Sequence, residues 1–213
     1  MIHVYAFASR LDRLPELTGV GGATLEQRTL DDVAAVVSRH AAPPDGDPGR
    51  DAVAHGLVVE ALAALATAVL PVRFGETFRD DAALELALRD RIHGIRRALE
   101  RVDGCVEIGV RVVGSTLPRA ATAPATGTGY MQERLAELAE HDAIVNELHR
   151  RLDALSRTSV ETSRGGFDAA YLIERASVEG AQAAVRQFAD AHPELTVVCT
   201  GPWAPYSFGG AQP

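Results

Sequence analysis

The period of apolar and polar positions changes several times along the chain, and each change predicts an element. Residues 2–8 carry the β-formers Ile2, Val4, Tyr5 and Phe7, and two further β-like runs, 25–29 and 33–38, are joined by Leu30, Asp31 and Asp32. Residues 40–51 then collect Pro43, Pro44, Gly46, Pro48 and Gly49, the punctuation of a loop that leads into a helix. Leu57, Ala61, Leu62, Leu65, Ala66 and Val69 recur at helical spacing, which predicts a helix over about 52–68, ended by Pro71.

From Leu84 the apolar positions run Leu84, Leu88, Ile92, Ile95 and Leu99, with Asp80 and Asp81 just upstream, where carboxylates favour a helix N-terminus. Gly104 breaks this helix. Val106, Ile108, Val110 and Val112 then alternate with Glu107, Gly109 and Arg111, the period-2 pattern of a half-buried strand. Residues 114–129, rich in Ala, Thr, Pro and Gly, read as a long loop. Leu135, Leu138, Val145, Leu148, Leu152 and Leu155 follow a 3/4 spacing up to about Ser156. At 1.5 Å per residue such a helix extends about 40 Å, more than one small sheet needs. Strand-like residues 158–162, a Ser163-Arg164-Gly165-Gly166 turn, a strand over 167–174, a helix over about 178–191 ended by Pro193, and a strand over 195–200 complete the pattern.

The second half therefore reads β-α-β-β-α-β, the order of a ferredoxin-like sandwich. The expected fold class is α+β: an N-terminal α+β domain over 1–103, then a ferredoxin-like C-terminal domain over 104–213 with a long helix and an aromatic tail. A chain of 213 residues with 46% hydrophobic content supplies cores for this arrangement.

Charge and composition narrow the function classes. Asp and Glu number 29 against 21 basic residues, a formal net charge of -8, so no broad basic surface for nucleic acid is expected. An RNA-recognition variant of the fold needs basic and aromatic residues on the sheet face, where the strand at 106–113 offers Arg111 alone. All the basic residues are Arg, which excludes lysine Schiff-base and P-loop lysine chemistry. Cys105 and Cys199 are too few for a disulfide framework, and strand alternation turns them to different faces, so two reduced thiols and a cytoplasmic address are expected. The apolar run at 57–72 is interrupted by Glu60 and is shorter than the roughly 20 residues of a membrane span, so no membrane association is expected. Without a basic leader or a small-residue cleavage site, the N-terminal run reads as a first strand rather than a signal peptide.

Catalytic and metal chemistry find no constellation. The seven histidines, His3, His40, His55, His93, His141, His149 and His192, form no HExxH or similar ligand spacing. Glu137, His141 and His149 share a helical face, as solvated faces do. No GxSxG or SxxK motif is present, Gly21-Gly22 and Gly165-Gly166 read as turn glycines, and Asp31-Asp32 and Asp80-Asp81 sit where carboxylates cap turns and helices. The expectation is a protein that is not an enzyme, with no cofactor, no metal and no catalytic residues.

Two segments stand apart. Residues 70–78, LPVRFGETF, form an apolar strand-like run carrying Arg73, which is costly to bury unpaired. Residues 200–208, TGPWAPYSF, concentrate the single Trp with a Tyr and a Phe just past the last predicted strand; they are read either as an aromatic lid over the chain's own sheet or as a docking anchor.

These two motifs, with GTGYMQERL at 127–135, AYLIER at 170–175 and Val4-Tyr5-Ala6 near the start, resemble the gas vesicle GvpL/GvpF family in order and nearly end to end. The resemblance implies a non-enzymatic accessory protein of gas vesicle formation, located in the cytoplasm with the gas vesicles. It would bind the gas vesicle shell protein and other accessory gas vesicle proteins and support nucleation and assembly. It also implies an N-terminal α+β domain before a ferredoxin-like one. The loop reads RFGETF where the family more often has RFGTVF-like residues. A shell protein with an exposed apolar face needs cover before assembly. The residues expected to bind partners are Pro71, Arg73, Phe74, Phe78, Leu138, Trp203, Tyr206 and Phe208. The alternative is a small-molecule-binding or enzymatic ferredoxin-like domain, which a deep pocket with converging polar groups would mark.

Overall fold

The computed structural model describes residues 1–42, 47–113, 127–161 and 167–209; within 127–142 it describes the side chains of Met131, Leu135 and Asp142 alone, and all those of 143–153. By Cα packing the chain divides into two compact units, Met1–Glu107 with Trp203–Pro213, and Ile108–Pro202.

The first unit is built on a 5-stranded sheet of order β2-β3-β1-β4, with β5 also paired to β1. Its strands are β1 (Ile2–Ser9), β2 (Leu25–Leu30), β3 (Val33–Arg39), β4 (Val69–Pro71) and β5 (Thr77–Phe78), and its helices are α1 (Pro48–Leu65) and α2 (Asp81–Val102). Strands β1 and β3 are apolar on both faces because both faces are covered. On one side Tyr5, Ala34 and Val36 pack against Val58, Val59 and Leu62 of α1. On the other, Ile2, Val4, Ala35 and Val37 pack against Leu84 and Leu88 of α2. The β1–β3 register shifts between Val4 and Ala6, leaving Tyr5 as an extra residue, so Ile2 and Val4 share their side of the sheet with Phe7.

Both helix starts follow their sequence signals. The Asp47 carboxylate accepts from Gly49 N–H at 2.9 Å with Pro48 in the first turn of α1, and Asp80 Oδ1 accepts from Ala83 N–H at 2.8 Å at the start of α2. The end of α1 differs from expectation. It closes at Leu65, and Pro71 does not stop it but lies buried in β4 opposite Ala6. Pairing of Val69–Pro71 with β1 satisfies the backbone of that segment better than a longer helix, while Ala66 and Val69 stay in the same core.

The second unit carries a 4-stranded sheet of order β7-β8-β6-β9. The elements of this sheet and its helices are β6 (Cys105–Val113), α3 (Gly127–Asp153), β7 (Ser156–Glu161), β8 (Phe167–Glu174), α4 (Val178–Ala191) and β9 (Thr196–Trp203), of which Cys105–Glu107 and Trp203 count with the first unit, and β7 and β8 run antiparallel. This is the β-α-β-β-α-β order of the sequence reading. The core joins Ile108, Val110 and Val112 of β6 and Tyr171 of β8 to Val145, Leu148 and Leu152 of α3 and to Val185 and Phe188 of α4. Strand β9 runs to Trp203, beyond the expected end near Thr200, so Trp203 closes the strand instead of following it. Of the expected loops, 114–126, the 163–166 turn and Pro43, Pro44 and Gly46 lie outside the described residues. Cys105 is buried, Cys199 is exposed, and no disulfide joins them.

Candidate partner-binding site

The segment LPVRFGETF is not one strand. Residues 69–71 and 77–78 both pair with β1, and residues 72–76 leave the sheet between them as a turn. Val72 N–H donates to Tyr5 O at 2.9 Å, Val4 N–H donates to Glu76 O at 3.1 Å, and Glu76 N–H closes the turn on Arg73 O at 3.3 Å. Gly75 takes φ 98°, a left-handed conformation that favours glycine. Pro71 and Val72 are thereby buried, Phe78 is half-buried against the α2-side core, and Arg73 and Phe74 are carried outward.

Phe74, 42% exposed, lies on a pair of buried histidines. Its ring centroid is 5.7 Å from that of His3 on β1 and 5.8 Å from that of His55 on α1. His55 Nε2 faces Val72 O at 2.8 Å, and a carbonyl only accepts, so this nitrogen carries the proton. His55 Nδ1 is then an acceptor, and His3 Nε2–H donates to it at 2.9 Å. Burial draws both imidazoles below the usual histidine range, His3 to about 4, with His55 and His40 adding to the effect on His3.

A second set of polar groups continues inward. Tyr5 OH accepts from Val20 N–H at 2.8 Å and shares a hydrogen bond with Ser38 Oγ at 2.8 Å, which meets His40 Nε2 at 2.9 Å. The sequence reading takes Tyr5 as a strand residue and the histidines as no ligand set, and assigns none of them a shared polar network. Their signal is that His3, Tyr5 and Ser38 interrupt strands that are otherwise apolar on both faces, where a polar side chain must find a partner. Nearby, a cleft of about 530 Å³ opens beside the 19–22 turn and the first turns of α1, lined by Leu17, Thr18, Arg50, Asp51 and Leu57 among others. Asp51, 8% exposed, accepts there from Gly21 N–H at 3.3 Å.

The C-terminal aromatics divide by exposure. Trp203 is 49% exposed at the end of β9, whereas Phe208 is buried and Tyr206 packs half-buried on the α1-side core beside buried Ala204. Two carboxylates tie this segment down. Glu60 of α1 accepts from Ala204 N–H at 3.2 Å, and Glu107 of β6 accepts from Ser207 N–H at 2.7 Å and Ser207 Oγ–H at 2.8 Å. Burial pushes the Tyr206 phenol up to about 12, with the charges of Glu60 and Glu107 acting in the same direction.

Of the expected partner-binding residues, the structure brings Pro71, Arg73, Phe74 and Phe78 together on one segment and places Trp203, Tyr206 and Phe208 on another. The Leu138 side chain, in α3, lies outside the described residues. On the same helix Leu135 is 61% exposed, while Leu148 is buried. Among the described residues no cluster of three His, Cys, Asp or Glu has metal-ligand geometry, and no helix is long and apolar enough to cross a membrane.

Residues 1–209 match the family model described as gas vesicle synthesis protein GvpL/GvpF. The chain belongs to the GvpL/GvpF family. It is 32% identical over 188 residues to gas vesicle protein L of Streptomyces sp. (strain CB03234), covering 74% of this chain and 68% of that protein. It is 32% identical over 203 residues to gas vesicle protein F2 of Halobacterium salinarum, covering 89% and 82% respectively. The crystal structure of GvpF from Anabaena sp. PCC7120 superposes with a TM-score of 0.80 over 99% of this chain and 96% of that one, at 17% identity, and shows the fold to be that of GvpF. The α+β class expected from the periodicity is thus the class of the GvpL/GvpF fold.

Proposed function

We propose that this GvpL/GvpF member is a non-enzymatic accessory protein of gas vesicle formation, working in the cytoplasm with the gas vesicles. In this reading it binds the gas vesicle shell protein and other accessory gas vesicle proteins and supports nucleation and assembly. The observation that carries the reading is membership of a gas vesicle synthesis family over residues 1–209. The 71–78 segment presents Arg73 and Phe74 to solvent, and the C-terminal segment presents Trp203. Half-exposed aromatics on well-anchored backbone suit partner docking, because little side-chain freedom is lost when they are covered. Pro71, Phe78, Tyr206 and Phe208 hold these two segments in place, and Leu138 of α3 is a further contact of the proposal.

Co-expression with the shell protein, followed by pull-down and recovery from the soluble fraction, tests the reading. Wild type is expected to recover shell protein, and Phe74→Ala and Trp203→Ala to recover at least tenfold less while remaining folded. Equal recovery by wild type and both variants moves the interface elsewhere, and no recovery by any of them removes direct shell binding. The small-molecule alternative rests on the 530 Å³ cleft beside the 19–22 turn.

A further inference from the structure

We propose that Phe74 is a proton-responsive lid: uptake of protons by His3 and His55 drives its ring off the pair, and a partner that draws Phe74 outward makes the pair bind protons more readily. The docking half of this statement rests on the reading of the 71–78 segment given above; the lid itself does not.

The geometry fixes what a proton does here. His55 Nε2–H is committed to Val72 O at 2.8 Å, so the only site on His55 that can take a proton is Nδ1, the atom that accepts from His3 Nε2–H at 2.9 Å. A proton at His55 Nδ1 keeps the bond only by reversing it, with His3 moving its own proton to Nδ1 and accepting at Nε2; otherwise two N–H groups meet and the bond is lost. A proton on His3 keeps the bond but places a cation beneath Phe74, where His3 is 3% and His55 2% exposed. Either state needs water, because an ionised ring in a dry site carries a large desolvation cost.

No carboxylate answers that charge at hydrogen-bonding distance among the described residues. The other ionisable groups on the elements packed around the pair are Tyr5 on β1, Arg39 at the end of β3 and His40 after it, Arg50, Asp51 and Glu60 on α1, the N-terminal ammonium, and Arg73 and Glu76 of the turn; Arg39 is paired with Glu26 and Asp81, and Glu60 accepts from Ala204 N–H. Asp51 is bonded to Gly21 N–H, the ammonium donates to His40 O at 2.9 Å, and Tyr5 is bonded to Val20 and Ser38. His40 adds positive charge when it is protonated. Relief therefore comes from solvent. Of the side chains whose rings touch His3 or His55, Phe74 is the most exposed, and it sits on a turn bonded to β1 at Val72 and Glu76 and closed by the Glu76 N–H to Arg73 O bond. In this proposal the Phe74 side chain rotates off the pair while Val72 and Glu76 stay bonded to β1. By linkage the coupling is reciprocal: what acid does to Phe74, removal of Phe74 does to the proton affinity of the pair.

The test is an NMR pH titration of the histidine ring nitrogens in the full chain, with His3 and His55 assigned from His3→Gln and His55→Gln, in wild type, Phe74→Ala and Phe74→Leu. Removal of the ring is expected to raise the proton affinity of His3 or His55 at least tenfold, about one pH unit, and the leucine variant, which restores cover, to return it toward wild type. Unchanged titration in a folded Phe74→Ala protein overturns the lid. The docking premise is read separately, by shell-protein pull-down with wild type at pH 7.5 and 4.5. Stronger recovery at the lower pH supports the coupling. Recovery that does not change with pH, alongside shifted titrations, leaves the lid intact and overturns its link to docking. Absence of recovery at both pH values removes the docking premise alone.

Discussion

Gly19 lies against the Tyr5 phenol so closely that a methyl group on its Cα would stand 2.0 Å from the Tyr5 oxygen and 2.8 Å from the ring carbon that bears it. The contact serves the hydrogen bond that Val20 N–H donates to Tyr5 OH, which seats the 19–22 turn over the α1-side core. Only a residue without a side chain lets the two approach this far.

Gly19→Ala is accordingly expected to destabilise the chain by about 1–3 kcal/mol through overpacking. Tyr5→Phe is expected to cost about 1–3 kcal/mol by leaving Val20 N–H and Ser38 short of a partner. The double variant should cost less than the sum, since losing the hydroxyl removes the worst of the clash. Urea unfolding of the four proteins checks this, and strict additivity would show that the two residues do not meet.

Acid should weaken the first unit through its histidines. His3, His40 and His55 are all drawn below the value of 6.5 that the unfolded chain carries. The stability they contribute is complete above 6.5 and is lost as pH falls through the folded values. For His3 alone, a fall to about 4 corresponds to on the order of 3 kcal/mol. Glu107 has the opposite sign, because burial raises its carboxyl and its contribution is present at low pH and lost as pH rises. Unfolding free energy measured from pH 7.5 to 4 should drop, the drop should shrink in His3→Gln, and it should steepen in Glu107→Gln.

Ser207→Ala removes the hydroxyl that donates to Glu107 and leaves the backbone donor in place. A loss of about 1 kcal/mol is expected. Proteolysis near residue 205 should quicken in the variant, and an unchanged cleavage rate would mean that the hydroxyl does not hold the C-terminal segment.

Along α3 the same leucine pattern has two outcomes. Leu148→Ala, at a position with 0% exposure, is expected to cost about 2–5 kcal/mol. Leu135→Ala, at 61% exposure, should stay within about 0.5 kcal/mol. Thermal or denaturant unfolding of the two variants separates them.

Periodicity determined most elements of this protein by itself. Helix α4, expected over about 178–191, forms at Val178–Ala191, and β6 follows its alternation, because one face of each is buried and the other is not. Asp80 and Asp81 signalled the start of α2, since a cap is a local interaction between neighbours in the chain. The 71–78 and 200–208 motifs were legible as segments, and with them the family.

Tertiary structure alone decided the rest. Helix α1 stops at Leu65 because Val69–Pro71 finds a strand partner in β1, more than 60 residues earlier, and no local pattern encodes that competition. Phe208 lies in the core while Trp203 stays half-exposed, although their sequence context looks alike, because Glu60 and Glu107 anchor the backbone between and around them. His3 and His55 stand 52 residues apart, each a lone polar residue among apolar neighbours, and become a pair only when β1 and α1 pack. Local order is set by the period of burial along one element, whereas a buried polar contact depends on two elements meeting at one register, a choice made by the packing of the whole unit.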